Sequence, residues 1–245
     1  MYKTNVRIAD INVEFNTKYY KLSSLSKDFL FENSKPEIVI NVTQEEIDRE
    51  LANAHESIVL PSFCEAACAC RAFCNEIWKY DAILFHSSVV DINGRAVAFA
   101  AKSGVGKTTH TLLWKRLLGD NLTIINGDKP IVRFFDKVPF AYGTPWKGKE
   151  TFGTNGKSHL TDICFIERNR NNSATKMKKE NALDRIFNQV FLPQDPSGMT
   201  KTLKLIDMML TECNLWLIKC NTDISAAEIA YNTIFARKEE NETNL

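Results

Sequence analysis

No long apolar run is present. The longest unbroken one, Ala96 to Ala101, falls far short of the roughly 20 residues that a membrane-spanning helix needs. No sign of charge prevails either: Lys+Arg is 31 and Asp+Glu 30, for a net charge of +1. So even a balance leaves no electrostatic footprint for nucleic acid or an anionic membrane. The first fifteen residues, MYKTNVRIADINVEF, lack the apolar core of a secretion signal. Internal repeats and low-complexity tracts are also missing. These absences predict a soluble cytosolic protein with neither nucleic acid nor membrane as partner.

What is present suits a folded enzyme-sized chain. Its 245 residues are 44% hydrophobic and 25% charged, which excludes wholesale disorder and fits one ordinary domain or two small ones. Seven cysteines cannot all pair in an oxidising compartment. Four of them cluster as Cys64, Cys68, Cys70 and Cys74. On a helix, at about 100° per residue, Cys64 and Cys68 share one face and Cys70 and Cys74 another, so one straight helix cannot bring four thiolates to one ion. The reading preferred here is small apolar residues packing a helix.

Residues 1–80 read as a small α+β unit. Ile11–Phe15 and Glu37–Val42 alternate as half-buried strands do, and Thr43 to Glu46 forms a capping box ahead of a short helix. The cysteine-rich helix then runs to about Tyr80. Residues 81–238 read as an α/β domain with a mixed sheet. Ala82–Val90 is predicted as one strand, Asn93-Gly94 as a hairpin turn and Arg95–Ala101 as the return strand. A helix is expected over Lys107–Leu118, with Leu113, Trp114, Leu117 and Leu118 facing the core and Gly119 ending it. Further strands are expected at Leu122–Asn126, Ile131–Phe135, His159–Glu167 and Leu215–Cys220. Helices are expected at Glu180–Phe191, Met199–Cys213 and Ile224–Arg237. Gly143–Ser158 reads as a long loop, and residues 239–245 as a solvated tail.

The sharpest motif is Ala101-Lys102-Ser103-Gly104-Val105-Gly106-Lys107-Thr108, a P-loop pattern with Ala at its first glycine. It lies between a strand and a helix, as the motif requires. Gly104 and Gly106 let backbone N–H groups turn onto phosphate oxygens, and the helix starting near Lys107 adds its positive dipole end. Ser103, Val105 and Thr109 complete the nucleotide-binding set. Lys107 is expected at the β- and γ-phosphates, and Thr108 on Mg²⁺. The cofactors predicted from the motif are therefore a nucleotide and Mg²⁺.

Asp128 follows the next strand, where a carboxylate can hold metal or take a proton from an attacking hydroxyl; a turn Asp before Pro130 is the plainer alternative. His86 lies just ahead of the hairpin and by itself suggests no more than a satisfied strand residue. In the loop from Gly143, Lys147 and Lys149 flank a glycine, Trp146 offers a flat face and Glu150 a carboxylate. They read equally as a clamp on phosphate or acceptor and as a solvated basic loop around a packing Trp. Arg168 and Arg170 read as solvated strand-end residues.

Residues 84–133 resemble the catalytic domain of the bacterial HPr kinase/phosphorylase family and its relatives, the ATP-dependent phosphoenolpyruvate carboxykinases. The resemblance is carried by Phe85-His86-Ser-Ser-Val-Val-Asp91, Asn93-Gly94, Ser103 to Thr108 and Asn126-Gly127-Asp128. It spans about a fifth of the chain. Over its whole length the chain looks like a subgroup of HPr-kinase-related proteins of anaerobic bacteria, which share Asn126-Gly-Asp-Lys-Pro130 and Gly143-Thr-Pro-Trp-x-Gly-Lys-Glu150. The resemblance implies an HPr-kinase-like fold and transfer of a phosphoryl group from ATP to a hydroxyl on a peptide, small protein or small molecule. It places His86 beside that group, makes Asp128 the base or metal ligand, and suggests a homo-oligomer. One departure is plain: the relatives carry two acidic residues in a row where this chain has Asp128-Lys129. That leaves a nucleotide-binding sensor or maturation partner without transfer activity as the rival reading. The serine-phosphate signature of true HPr kinases is not recognisable, so HPr itself is not the expected acceptor. The chain is also too short for a carboxykinase.

Overall fold

The computed structural model describes residues 1–31, 35–53 and 59–235. The molecule is mixed α/β, with a small sheet ahead of a large one. Strands β1 (Tyr2–Ile8) and β2 (Ile11–Thr17) form an antiparallel hairpin, and β3 (Ile38–Asn41) joins β2 in parallel. β1 is hard to see in the sequence because one of its inward positions is polar: Thr4 is buried and shares a 2.6 Å hydrogen bond with Ser23. Around this sheet lie α1 (Lys21–Leu25), α2 (Gln44–Ala52) and α3 (Pro61–Cys74). The capping box at Thr43 forms as expected, each partner bonding the other's backbone N–H. The cysteine-rich helix ends at Cys74, and a 3-10 turn covers Ile77–Tyr80.

The second sheet has nine strands. They are β4 (Ala82–Leu84), β5 (Ser88–Ile92), β6 (Arg95–Ala100), β7 (Thr123–Asn126), β8 (Ile131–Phe135), β9 (Val138–Tyr142), β10 (Lys157–Arg168), β11 (Ser173–Lys176) and β12 (Asn214–Cys220). Its helices are α4 (Lys107–Leu118), α5 (Lys179–Phe187), α6 (Pro196–Glu212) and α7 (Ile224–Phe235). The order is β4-β8-β9-β10-β6-β5-β7, and β12 also pairs with β10. The sheet forks at β10, whose first residues pair with β9 while Asp162–Arg168 pair with β12 in parallel. β6 flanks the same strand on the other side, also in parallel.

Three expectations need correction. The predicted single strand Ala82–Val90 is two strands, because Phe85 and His86 turn their N–H groups away to the carbonyls of Pro130 and Gln189. The interior strand β9 and the edge strand β11 were not expected; the first contains a proline and the second, Ser-Ala-Thr-Lys, is half polar. Helix α5 stops at Phe187, short of the predicted Phe191. The predicted tail, the last two residues of the final helix and the boundary at residue 238 lie outside the described residues.

Alternation along β6 explains the layers. Ala96, Ala98 and Ala100 face a cluster completed by Ile186, Leu205, Ile206 and Met209 of α5 and α6. Val97 and Phe99 face the other way, against Trp114 of α4 and Ala227 and Ala230 of α7. Small side chains on one face of β6 let two helices approach closely, as dense interior packing requires. A third cluster joins the two sheets: Ile8, Phe15, Phe73 and Ile77 pack with Ala82, Leu84, Ile131, Tyr142 and Trp146.

Candidate active site

Strand directions bring the singled-out residues to one edge. β10 and β7 run parallel to β6, and β5 runs antiparallel to it. The end of β6, the end of β7, the start of β5 and the end of β10 therefore share one edge. The P-loop follows β6, Asp128 follows β7, His86 precedes β5 and Arg168 ends β10. The carboxyl ends of parallel strands are where open α/β sheets place their ligands. A cleft of about 1100 Å³ opens there, lined by Ser103, Gly104, Gly106, Lys107, Thr108 and Thr109 together with His86 and Asp128.

The P-loop backbone has the shape its glycines were expected to permit. Gly104 and Gly106 take φ +77° and +126°, and α4 begins at Lys107. A Cβ at either glycine would meet nothing within 4 Å, so their role is conformational and the loop is open toward the cleft. The Lys107 side chain is buried, and its Nζ donates to the Ala101 carbonyl at 2.8 Å. Burial lowers its pKa, against the pull of Asp128. An ammonium held with a single neutral acceptor is poised to gain from a phosphate oxygen.

Asp128 is gripped at both oxygens. Oδ1 lies 3.2 Å from His86 Nε2, and Oδ2 accepts from Lys129 Nζ. Burial acts to raise the Asp128 pKa, but the His86 hydrogen bond and the Lys129 charge outweigh it and hold the carboxyl well below the usual range. Its surroundings therefore favour the ionised carboxylate. It is suited to orienting a hydroxyl or holding a cation more than to keeping a proton.

Asn126 sets this loop and was named in the sequence only for its resemblance. It is fully buried; its Oδ1 accepts from the N–H groups of Asp128 and Lys129, both at 2.8 Å, while Nδ2 donates to Thr144. Thr144 in turn donates to the Lys129 carbonyl at 2.7 Å. Asn126→Ala strands both amides and is expected to cost about 2–4 kcal/mol, read by denaturant unfolding, together with loss of a fixed Asp128.

The loop after Gly143 does reach the site, but Trp146 and Lys147 are engaged elsewhere. The Trp146 ring stacks on Phe73 and meets Phe15 edge-on, and its Nε1 donates to the Ala66 carbonyl at 2.9 Å. Lys147 Nζ bonds Asp28 at 2.8 Å and lies over the Phe29 ring. Both residues tie the loop to the first unit while still bordering the cleft, as Lys149 and Glu150 also do. At Gly148, φ is +83° and a Cβ would come within 3.0 Å of the Asp128 Cβ, so the loop packs directly on the acidic residue.

Arg168 is the residue that sequence reasoning missed. The expectation was a solvated strand end. Though exposed, it lines the cleft and donates from Nε to the Val105 carbonyl at 3.0 Å and from its terminal nitrogen to that of Gly104. It braces the glycine-rich loop from the neighbouring strand; the parallel β6–β10 pairing brings it there. Arg170 bonds through its carbonyl to Asn221. All four clustered cysteines are buried.

The donor set suits Mg²⁺ carried in with a nucleotide. Among the described residues no cluster of three His, Cys, Asp or Glu could hold a metal ion alone. Thr108 and Asp128 border the same cleft, and Mg²⁺ characteristically takes one or two protein ligands, phosphate oxygens and water.

No protein-family model matches the chain, and no protein of curated function matches it. Among solved structures, the Hpr(Ser) kinase/phosphatase from Coxiella burnetii is similar over 66% of this chain and 99% of its own, at 8% sequence identity and a TM-score of 0.37. A likeness at that level transfers neither residues nor activity.

Proposed function

We propose that this chain is an ATP-dependent, Mg²⁺-requiring kinase that transfers the γ-phosphoryl group to a hydroxyl. The observation that carries the reading is the meeting, in one cleft, of a P-loop at a helix N-terminus with an ionised aspartate held by His86 and Lys129. In phosphoryl transfer most of the catalysis is positioning and charge stabilisation. Backbone N–H groups between Ser103 and Gly106 would bind phosphate oxygens, and Lys107 would exchange the Ala101 carbonyl for the β- and γ-phosphates. Bound Mg²⁺, held by Thr108 and Asp128, would neutralise charge on those phosphates. The acceptor hydroxyl would donate its hydrogen bond to Asp128 as its oxygen attacks phosphorus. The new O–P bond forms as the bond to the β–γ bridging oxygen breaks, and the hydroxyl proton passes to the carboxylate. His86 and Lys129 keep the carboxylate aimed.

Incubation with γ-labelled ATP and Mg²⁺, with extract supplying acceptors, tests this. Asp128→Asn is expected to lower transfer by about 10²–10⁴-fold while calorimetry shows ATP binding retained. A second reading has its own support: Lys129 occupies the oxygen a metal would want. If the wild-type protein binds ATP but labels nothing, the chain is a nucleotide sensor, and Lys129→Asp becomes the variant expected to gain turnover.

A further inference from the structure

The cleft has a second, apolar arm that phosphate chemistry leaves unexplained. At about 1100 Å³ the cavity stands at the top of the roughly 300–1,000 Å³ range of ligand sites. Away from the P-loop it is walled by one face of α3, where Leu60, Phe63, Ala67, Cys70 and Cys74 follow at steps of three and four residues. The middle of that face is small and leaves the space, while Leu60 and Phe63 at the rim are 55% and 50% exposed. The wall continues to the reacting centre: Leu84 stands two residues before His86, and Phe191, bonded to the Leu84 carbonyl at 3.0 Å, lines the cleft beside it.

Polar groups along this arm are already committed. The backbone of α3 bonds within the helix, and the Ala66 carbonyl takes the Trp146 indole. Arg71 forms a two-point pair with Glu50, and burial keeps Cys74 a neutral thiol. A sugar or an extended peptide placed here would bury hydroxyls or amides with few partners, a cost of about 1–3 kcal/mol for each. An aliphatic or aromatic body would carry no such cost and would gain from burial.

We infer that the phosphoryl acceptor is a small apolar alcohol, its hydrocarbon body along α3 and its hydroxyl at Asp128. The inference rests on the kinase reading for its chemistry, in which the alcohol becomes a phosphomonoester and ATP becomes ADP. Binding and transfer can be measured apart. The full chain, saturated with Mg²⁺ and a non-hydrolysable ATP analogue, is titrated by calorimetry with octanol, a phenylalkanol, glycerol and a serine peptide; transfer from γ-labelled ATP is then measured on the same four. Octanol or the phenylalkanol is expected to bind, glycerol and the peptide at least tenfold more weakly. Ala67→Phe, which fills the arm, and Phe63→Ser, which strips its exposed rim and leaves the core intact, are each expected to weaken alcohol binding about tenfold with nucleotide affinity unchanged. Alcohol binding that both variants weaken, without transfer to any compound, would uphold the apolar arm and sink the kinase reading. Transfer to glycerol or the peptide that neither variant affects would do the reverse. Failure of both alcohols to bind up to their solubility limits overturns the inference.

Discussion

Lys107→Ala is expected to lower phosphoryl transfer by roughly 10³-fold, the scale of removing a charge-stabilising donor from a water-poor site, while the fold survives. The second half of that expectation comes from the side chain's setting. Lys107 is a buried ammonium whose hydrogen bond goes to one neutral carbonyl, Ala101. Burying a charge with so weak a partner is unfavourable. Deleting it relieves that cost, so the midpoint of thermal unfolding should hold steady or rise. A functional residue that strains its own fold is a familiar trade, and under the proposed function Lys107 would be one. Lys107→Arg should not rescue transfer, since the fork of a guanidinium does not fit where a compact ammonium turns inside the loop. Parallel transfer assays and thermal melts check both halves. A variant that loses activity and stability together would mean that the lysine is there for packing.

Trp146→Ala is expected to have the opposite profile, a large loss of stability. Truncating a buried Trp costs about 3–5 kcal/mol. In a chain of this size that lowers the unfolding midpoint by about 6–20 °C. The indole lies between Phe15 and Phe73 and donates to Ala66, so its loss opens a cavity and orphans a carbonyl. Trp146→Phe should recover most of the stability and leave the acceptor KM alone. Were the ring instead a clamp on the acceptor, Trp146→Phe would raise that KM at an unchanged midpoint. Thermal melts and acceptor titrations on the two variants separate the cases.

Much of the strand, loop and helix around Lys107 was legible because local chemistry dictates it. Two glycines before Lys-Thr, a β-prone run ahead and an amphipathic segment behind are short-range signals, and β6, the P-loop and α4 lie where they point. The capping box at Thr43 is another such signal. What could not be read are the consequences of long-range pairing. Arg168 reaches Val105 across 63 positions of sequence, and Trp146 reaches Ala66 across 80. Nothing near either residue announces its partner. The break at Phe85-His86 was hidden for a similar reason. Its composition is strand-like, and only the carbonyls of Pro130 and Gln189 draw the backbone aside. The apolar face of α3 was visible as a run of small residues, but not that it borders the cleft beside Lys107 and Asp128.

The shared cluster that joins the two sheets has a further consequence. No strand of the first sheet lines the cleft, yet Phe15 packs on Trp146, whose loop packs on Asp128 through Gly148. Because that packing is continuous, opening the first sheet is expected to loosen the acidic loop as well. A ligand that binds only the closed cleft draws that opening equilibrium toward order by mass action, by about 2.7 kcal/mol at a hundred times its dissociation constant. Occupancy of the cleft is thereby written into the protease sensitivity of strands the ligand never touches.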